Sequence, residues 1–517
     1  MKFKGLTITG ILVLAAIPAF LATAETQERA PPASVWPTKM WEVSTPEEQG
    51  MDSRALARLI DDVGTYKQDS VLIVRNGKIV ADAYYAPYSA GIRHDLRSVT
   101  KSFLSTLIGV LVQQGKLETV DRPLLDFFAD RSIANLDDRK KAITIQSLLD
   151  MASGIAWVER AYTPDETVLR MYASPDPTGF ILDQPMSDLP GEKFYYKGGD
   201  PYLLSALVNK LTGQNALEYA RKELFEPLGI TDVRWAPVDK QGVVTGETGM
   251  RLTPHDMAKL GYLYLRDGVW EGKRIIPSGW VERARNGRLA TSFGKYANLW
   301  WSIPDRNAFM ALGRHGQLII VFPKLDVVAV MTGVVPDDEK RYPLTTLIDQ
   351  ILSAVKSDKP LAPDPEGEAA LKASLLKAAT EKATAVVGPA SDLMATVANK
   401  TWRFGDNELR IRAVGLKLAG ESLTFALTIY SDKPGGREIN LLEPVGLNGT
   451  TRGKPTNYAF VANKGSWQDP RTFVLERRFL GNGEMVYWTL RFEGDQLNLA
   501  FRNTDGYAIE LRGESAN

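Results

Sequence analysis

Between Ser357 and about Ala398 the sequence changes character, and that change divides what the chain can fold into. Upstream, apolar residues switch between the spacing of strands and that of helices; downstream, strand alternation takes over. Asn76-Gly77 sits between two apolar runs and predicts a tight hairpin. Residues 98–114 follow with Phe103, Leu104, Leu107, Ile108 and Leu111, the i, i+3/i+4 spacing of a helix buried on one side. Helical patterns recur over 144–152, 200–225 and 254–267, and a second hairpin is expected within 318–331. Strands at both ends with helices between them predict an α+β domain over 42–356. Residues 357–398 turn Pro-rich and then Ala-, Lys- and Glu-rich, as a linker with a solvated helical segment would. Over 399–517, Val486, Trp488, Leu490 and Phe492 share one face. Glu493-Gly494-Asp495 then turns, and Leu497, Leu499 and Phe501 answer from the partner strand. This second domain is expected to be an antiparallel β barrel or sandwich.

The N-terminus opens with Lys2 and Lys4, continues through an apolar stretch interrupted by Pro18, and closes on Ala22-Thr23-Ala24. A basic start, a short apolar core and an A-x-A ending describe a signal peptide over 1–24, followed by a leader over 25–41. The expected location is secreted or periplasmic. No later segment is long and apolar enough to span a bilayer.

Charge and residue types exclude several chemistries. Sixty-two Lys and Arg balance 62 Asp and Glu, so no basic excess favours nucleic acid. The 517-residue chain has no Cys, which excludes disulfides, thiol catalysis and Cys-bearing metal sites. His94, His255 and His315 are far apart in sequence and no HExxH occurs, so neither a metal nor another cofactor is expected. A nucleophile would then be Ser or Thr with a base other than His. The tetrad Ser-x-x-Lys occurs at Ser98-Lys101, Ser292-Lys295, Ser353-Lys356 and Ser374-Lys377. Of these, Ser98 opens a long apolar helix, where Ser and Lys share a face and helix-end N–H groups favour an anionic oxygen. Taken alone the tetrad also fits an N-cap followed by a surface lysine. Two further stretches add weight: Phe194-Tyr-Tyr-Lys-Gly-Gly-Asp200, with tyrosines before a glycine turn, and Ala311-Leu-Gly-Arg-His-Gly-Gln317, a Gly-rich entry to a strand.

Together with Ile143-Thr-Ile-Gln-Ser-Leu-Leu-Asp-Met-Ala-Ser-Gly154, Leu252-Thr-Pro-His-Asp-Met-Ala-Lys-Leu-Gly261 and Leu299-Trp-Trp301, these motifs make residues 42–356 resemble the serine β-lactamase-related family. The likeness is to its class C-like branch, with penicillin-binding esterases and 6-aminohexanoate-dimer hydrolases. The resemblance implies a β-lactamase/transpeptidase-like fold, Ser98 as nucleophile, Lys101 as its activator and Tyr196 as general base and proton shuttle. Tyr196 is preferred to Tyr195 because that register places Leu203-Leu204 on the following helix. It implies backbone N–H groups of Ser98 and Arg314 as the oxyanion donors. Tyr162, Gly198, Gly313 and His315 become candidate substrate contacts, although a structural histidine fits position 315 as well. His94 and His255 are read as structural. The sequence departs from the family pattern at Gly198, where Asn is usual, and at Ala311, where Lys or His is usual.

These features predict a serine hydrolase acting on a small-molecule ester, amide or peptide-like substrate through an acyl-enzyme. The alternative is a penicillin-binding or peptidoglycan-recognition protein with little turnover. A Ser-His-Asp hydrolase is disfavoured because no G-x-S-x-G occurs. Lys and Tyr titrate near about 10, so using either as a base near neutrality costs on the order of 4 kcal/mol. A helix terminus supplies at most about 2 kcal/mol. Desolvation and mutual coupling must provide the rest, which calls for a partly closed pocket.

Overall fold

A computed structural model describes residues 36–516 apart from 160–165, 237, 338, 382–392, 394–396, 420–421, 432–435, 448 and 456–459. The expected signal peptide and most of the leader lie outside the described residues. At the leader's end, Trp36 and Trp41 pack edge-on against Tyr262, with ring centroids 5.8 and 5.6 Å away.

The first domain is built on a nine-stranded sheet. From one edge its strands run Glu42–Val43, Lys78–Tyr84, Gln68–Arg75, Val327–Gly333, Gln317–Phe322, Ala308–Gly313, Trp300–Ile303, Gly294–Ala297 and Leu289–Thr291. All neighbours are antiparallel except the two-residue edge strand, which pairs parallel with Lys78–Ile79. Both expected hairpins form, around Asn76-Gly77 and between Phe322 and Val327. The central strands are apolar throughout because both faces are covered. Leu72, Val74, Ile319, Val321, Val328 and Val330 join a core with the helices Thr100–Gln113, Gly199–Thr212 and Pro254–Leu265. Val71, Ile73, Leu318, Ile320, Val327 and Ala329 face the other way, onto Ser53–Val63 and Leu344–Ala354. Period-two alternation thus sends successive side chains into two separate cores.

The helix within the compositional break, Pro365–Ala379, packs on this second layer: Leu371 is buried there, and Arg54 pairs with Asp364 and Glu366. The domain's entry and exit meet at one place. Met51 bridges Val355, and the buried Arg75 guanidinium donates to the carbonyls of Gly50 and Ser357 at 3.0 and 2.8 Å. Among the described residues, no helix is long and apolar enough to cross a membrane.

The C-terminal domain is a ten-stranded antiparallel sheet. Its order is Glu438–Val445, Ser422–Tyr430, Ile411–Ala419, Thr401–Phe404, Ala508–Ala516, Gln496–Asn503, Glu484–Glu493, Thr472–Leu480, Phe460–Asp469 and Arg452–Pro455. The sheet curls until Gly446 bridges Lys464, so of barrel and sandwich it is a near-closed barrel. Trp402, Phe425, Trp467, Phe473, Trp488 and Phe492 fill the interior with edge-on and tilted ring pairs. One ion pair is buried with them. Arg477 donates to both carboxylate oxygens of Glu443 at 2.8 and 2.6 Å, and Asn463 adds a third donor.

Removing one partner of that pair strands the other charge in an apolar interior. Glu443→Ala is expected to lower unfolding free energy by about 3–5 kcal/mol, and Glu443→Leu combined with Arg477→Met to recover most of it. Denaturant melts followed by Trp fluorescence check this; an additive double variant would contradict it.

Candidate functional site

The loop leading to Ser98 is stiff before any chemistry is considered. His94–Asp95 pairs with Arg251–Leu252, and the Asp95 carboxylate accepts the Arg97 backbone N–H at 2.9 Å. Arg97 itself adopts a left-handed conformation, φ 47°, uncommon for any residue that carries a side chain. A single 3-10 turn, Arg97–Val99, then feeds the helix Thr100–Gln113. Ser98 is half-buried at that junction and Lys101 is buried one turn on.

Lys101 is held from three sides. Its Nζ donates to Ser98 Oγ at 2.8 Å and to the Glu247 carbonyl at 2.8 Å, and lies 5.0 Å from the centroid of the Tyr196 ring. Glu247 reaches that position because Gly246 lets the chain pass closely: a Cβ there would sit 2.3 Å from the Pro201 carbonyl and 2.4 Å from a Leu104 methyl. The other three Ser-x-x-Lys tetrads have different partners. Ser374 and Lys377 both bind Asp61, Ser353 donates to the Gln350 carbonyl, and Ser292 lies in the turn between an edge strand and its neighbour.

Tyr196 and Tyr195 face different lysines. Tyr195 has Lys197 Nζ at 5.5 Å, and Lys197 is turned inward to the Ile155 carbonyl at 2.7 Å. Tyr196 stacks on Trp301 at 5.8 Å, which in turn stacks on the partly exposed Phe293. Phe194, Tyr296 and Trp301 complete an aromatic wall beside Lys101 and Tyr196.

The strand Ala308–Gly313 runs beside the Ser98 turn. A Cβ on Gly313 would lie 2.6 Å from the Leu96 carbonyl and 3.3 Å from Arg97 Cβ, so glycine permits the approach that brings Arg314 alongside. Ala311 is buried in this strand and presents no charge.

The remaining candidates are placed as follows. Gly198 packs beneath two carboxyl groups: its N–H donates to Glu159 Oε2 at 2.7 Å, and a Cβ there would meet Glu247 Oε2 at 1.6 Å. The slot of a side chain at 198 is therefore filled by Glu247. His315 is enclosed by protein. It is buried, with Nδ1 2.7 Å from the Val335 carbonyl and Nε2 3.0 Å from Asp505 Oδ1, so both ring nitrogens already have protein partners. Tyr162 lies outside the described residues. His94 stacks on Tyr88 beside Asp69, and His255 pairs with Asp82. Among the described residues, no cluster of three or more His, Asp or Glu is arranged to hold a metal ion.

Glu247 and Glu159 were not found by motif. The sole signal for Glu247 is a carboxylate between two glycines, Gly246 and Gly249, just ahead of Leu252-Thr-Pro-His255. The two acids differ in satisfaction. Glu159 Oε2 accepts from Gly198 N–H and Trp157 Nε1, whereas Glu247 Oε1 is buried with no hydrogen-bond partner. Burial pushes the Glu247 carboxyl up to about 8; Lys101 opposes that shift and Glu159 adds to it.

The family model described as Beta-lactamase matches residues 56–350. The 6-aminohexanoate-dimer hydrolase of Paenarthrobacter ureafaciens is 25% identical over 325 residues, covering 58% of this chain and 82% of that relative. A putative D-alanyl-D-alanine carboxypeptidase of Escherichia coli (strain K12) is 28% identical over 225 residues, 38% of this chain and 51% of that relative. A solved structure, the putative 6-aminohexanoate-dimer hydrolase from Bacillus anthracis, covers 67% of this chain and 89% of its own at 19% identity and TM-score 0.48.

The raised Glu247 carboxyl has a signed consequence. The native state binds its proton more tightly than the unfolded chain does. Its contribution to stability is therefore full below the ordinary carboxylate range and is lost as pH rises to about 8. Glu247→Gln is expected to melt close to the wild type at pH 4.5 and above it at pH 9. Parallel melting curves across that range would contradict the assignment.

Proposed function

The chain belongs to the beta-lactamase family, and on that premise we propose that it is an exported serine hydrolase cleaving an ester or amide bond through an acyl-enzyme on Ser98. The observation that carries this reading is the 2.8 Å hydrogen bond from a buried Lys101 ammonium nitrogen to Ser98 Oγ. In its neutral form Lys101 takes the hydroxyl proton as Ser98 Oγ attacks the carbonyl carbon. The N–H groups of Ser98 and Arg314 hold the oxyanion, and Tyr196 carries the proton to the leaving group, after which water releases the acid. A protonated Glu247 suits this step, since it sets no fixed negative charge beside the moving proton.

Substrate preference follows from what surrounds the nucleophile. The aromatic wall of Tyr196, Trp301 and Phe293 favours an apolar acyl or alkyl portion. Ala311 offers no cation for a carboxylate, and Gly198 no side chain for an amide. A linear ester or amide therefore fits better than a β-lactam. The similarity to the 6-aminohexanoate-dimer hydrolase points the same way. Export rests on the basic, apolar and A-x-A pattern over 1–24.

Ser98→Ala is expected to abolish hydrolysis of a short-chain nitrophenyl ester and labelling by a fluorophosphonate while leaving the melting curve unchanged. Persistent labelling would sink the assignment. Labelling of the wild type without turnover would favour a penicillin-binding protein instead.

Lys101→Ala and Tyr196→Phe should each slow acylation on the order of 10²–10⁴-fold, and the double variant should be little worse. A silent Tyr196→Phe beside a crippling Tyr195→Phe would move the proton shuttle to Tyr195. The kcat/KM for the ester is expected to exceed that for a chromogenic cephalosporin; the reverse order would mean that other groups replace the missing Asn and cation.

A further inference from the structure

Two residues beside the proposed oxyanion donors share an unusual property. Arg97 precedes Ser98 with φ 47°, and His315 follows Arg314 with φ 68°; neither is glycine. Such backbone is costly for a residue with a Cβ and persists where surrounding contacts over-determine it. Both side chains reach the same neighbour for that support, the C-terminal barrel.

Arg97 Nη2 donates to the Gly483 carbonyl at 2.8 Å. Gly483 belongs to the turn between Thr472–Leu480 and Glu484–Glu493, which packs so closely that a Cβ at 483 would be 2.7 Å from Asp95 Cβ. His315 Nε2 lies 3.0 Å from Asp505 Oδ1, in the next barrel turn on that side, between Gln496–Asn503 and Ala508–Ala516. The same oxygen is 3.1 Å from Arg314 Nη1. Arg314 also pairs with Asp337, whose N–H donates to the Thr504 carbonyl at 3.2 Å. The other ring nitrogen, Nδ1, is held by the Val335 carbonyl, and the Val335 N–H returns to the His315 carbonyl at 3.2 Å. Hydrogen bonding to His315, with the charges of Arg97 and Arg314, draws the Asp505 carboxyl down to about 2. Asp505 thus touches the His315 segment through two side chains, while the Gly483 carbonyl holds the Arg97 segment.

We propose that the barrel braces the oxyanion hole: Asp505, acting through His315 and Arg314, and the Gly483 carbonyl, acting through Arg97, hold the two backbone N–H donors in register. Asp505 is on this account a positioning residue some 190 positions from the strand it aligns. This inference rests on the Ser98 hydrolase reading above. A brace of this kind acts on the transition state, where charge on the carbonyl oxygen is greatest, and little on ground-state binding.

The test uses full-length variants and a short-chain nitrophenyl ester, with turnover normalised to the fraction labelled by a fluorophosphonate. Asp505→Ala is expected to lower kcat about 10–100-fold with KM little changed, part of the 10²–10³-fold worth of a whole oxyanion donor. Asp505→Asn, which keeps an acceptor oxygen for His315, should restore much of the loss and serves if the alanine variant folds poorly. Glu339→Gln is the control. It breaks a different contact to the barrel, through Lys67 and Arg502, and should lower the melting temperature without touching kcat. Wild-type kcat in both Asp505 variants, or an equal loss in Glu339→Gln, would overturn the brace. Ser98→Ala measured alongside separates the two readings: if it is dead while Asp505→Ala runs at full rate, the brace alone fails, and if it is active, both fail.

Discussion

A lysine buried to 3% exposure is the constraint around which the rest of the site is arranged. An ammonium group deprived of water must be met by oxygen or π density, and Lys101 finds Ser98 Oγ, the Glu247 carbonyl and the face of Tyr196. Each partner imposes its own condition on the fold. The Glu247 carbonyl arrives only because Gly246 carries no side chain. The Ser98 hydroxyl is presented by a turn whose first residue is left-handed, and Tyr196 is held by aromatic stacking rather than by a regular element. The same desolvation leaves Glu247 short of partners and keeps its proton on.

Local patterning made much of the architecture legible. Asn76-Gly77, the apolar run after Ser98 and the alternation through Val486–Phe492 each concern neighbours in sequence, and each forms the expected element. The context that sets Ser98 apart among the four Ser-x-x-Lys tetrads, an apolar helix to follow, is likewise local, and that helix forms over Thr100–Gln113. The edge strand Glu42–Val43 was not, since two residues carry no period. Nor was the packing of Pro365–Ala379, an Ala-, Lys- and Glu-rich helix whose contact with the core rests on Leu371, with Leu375 and Ala378 partly buried beside it.

Within the site, what stayed hidden depends on contacts across long stretches of chain. Glu247 meets Lys101 over 146 residues, and its side chain occupies space that only the absence of a Cβ at Gly198 creates. Arg97 and His315 carry no composition signal for positive φ, because the contacts that pay for it come from another domain. For His315 the sequence leaves a substrate contact and a structural role equally open, and its contact with Asp505 spans 190 residues.

The meeting of Met51 with Val355 bears on how such a chain is put together. When a domain's first and last segments leave from one point, further sequence can be appended or lost without rethreading the sheet between them. The β-lactamase-like domain is thus topologically a finished cassette, clamped shut by Arg75 across Gly50 and Ser357. Acquisition of a barrel by such a cassette needs no redesign of the core. Dependence upon it can then grow one surface contact at a time, each relaxing selection on the backbone it supports, until the addition is no longer separable.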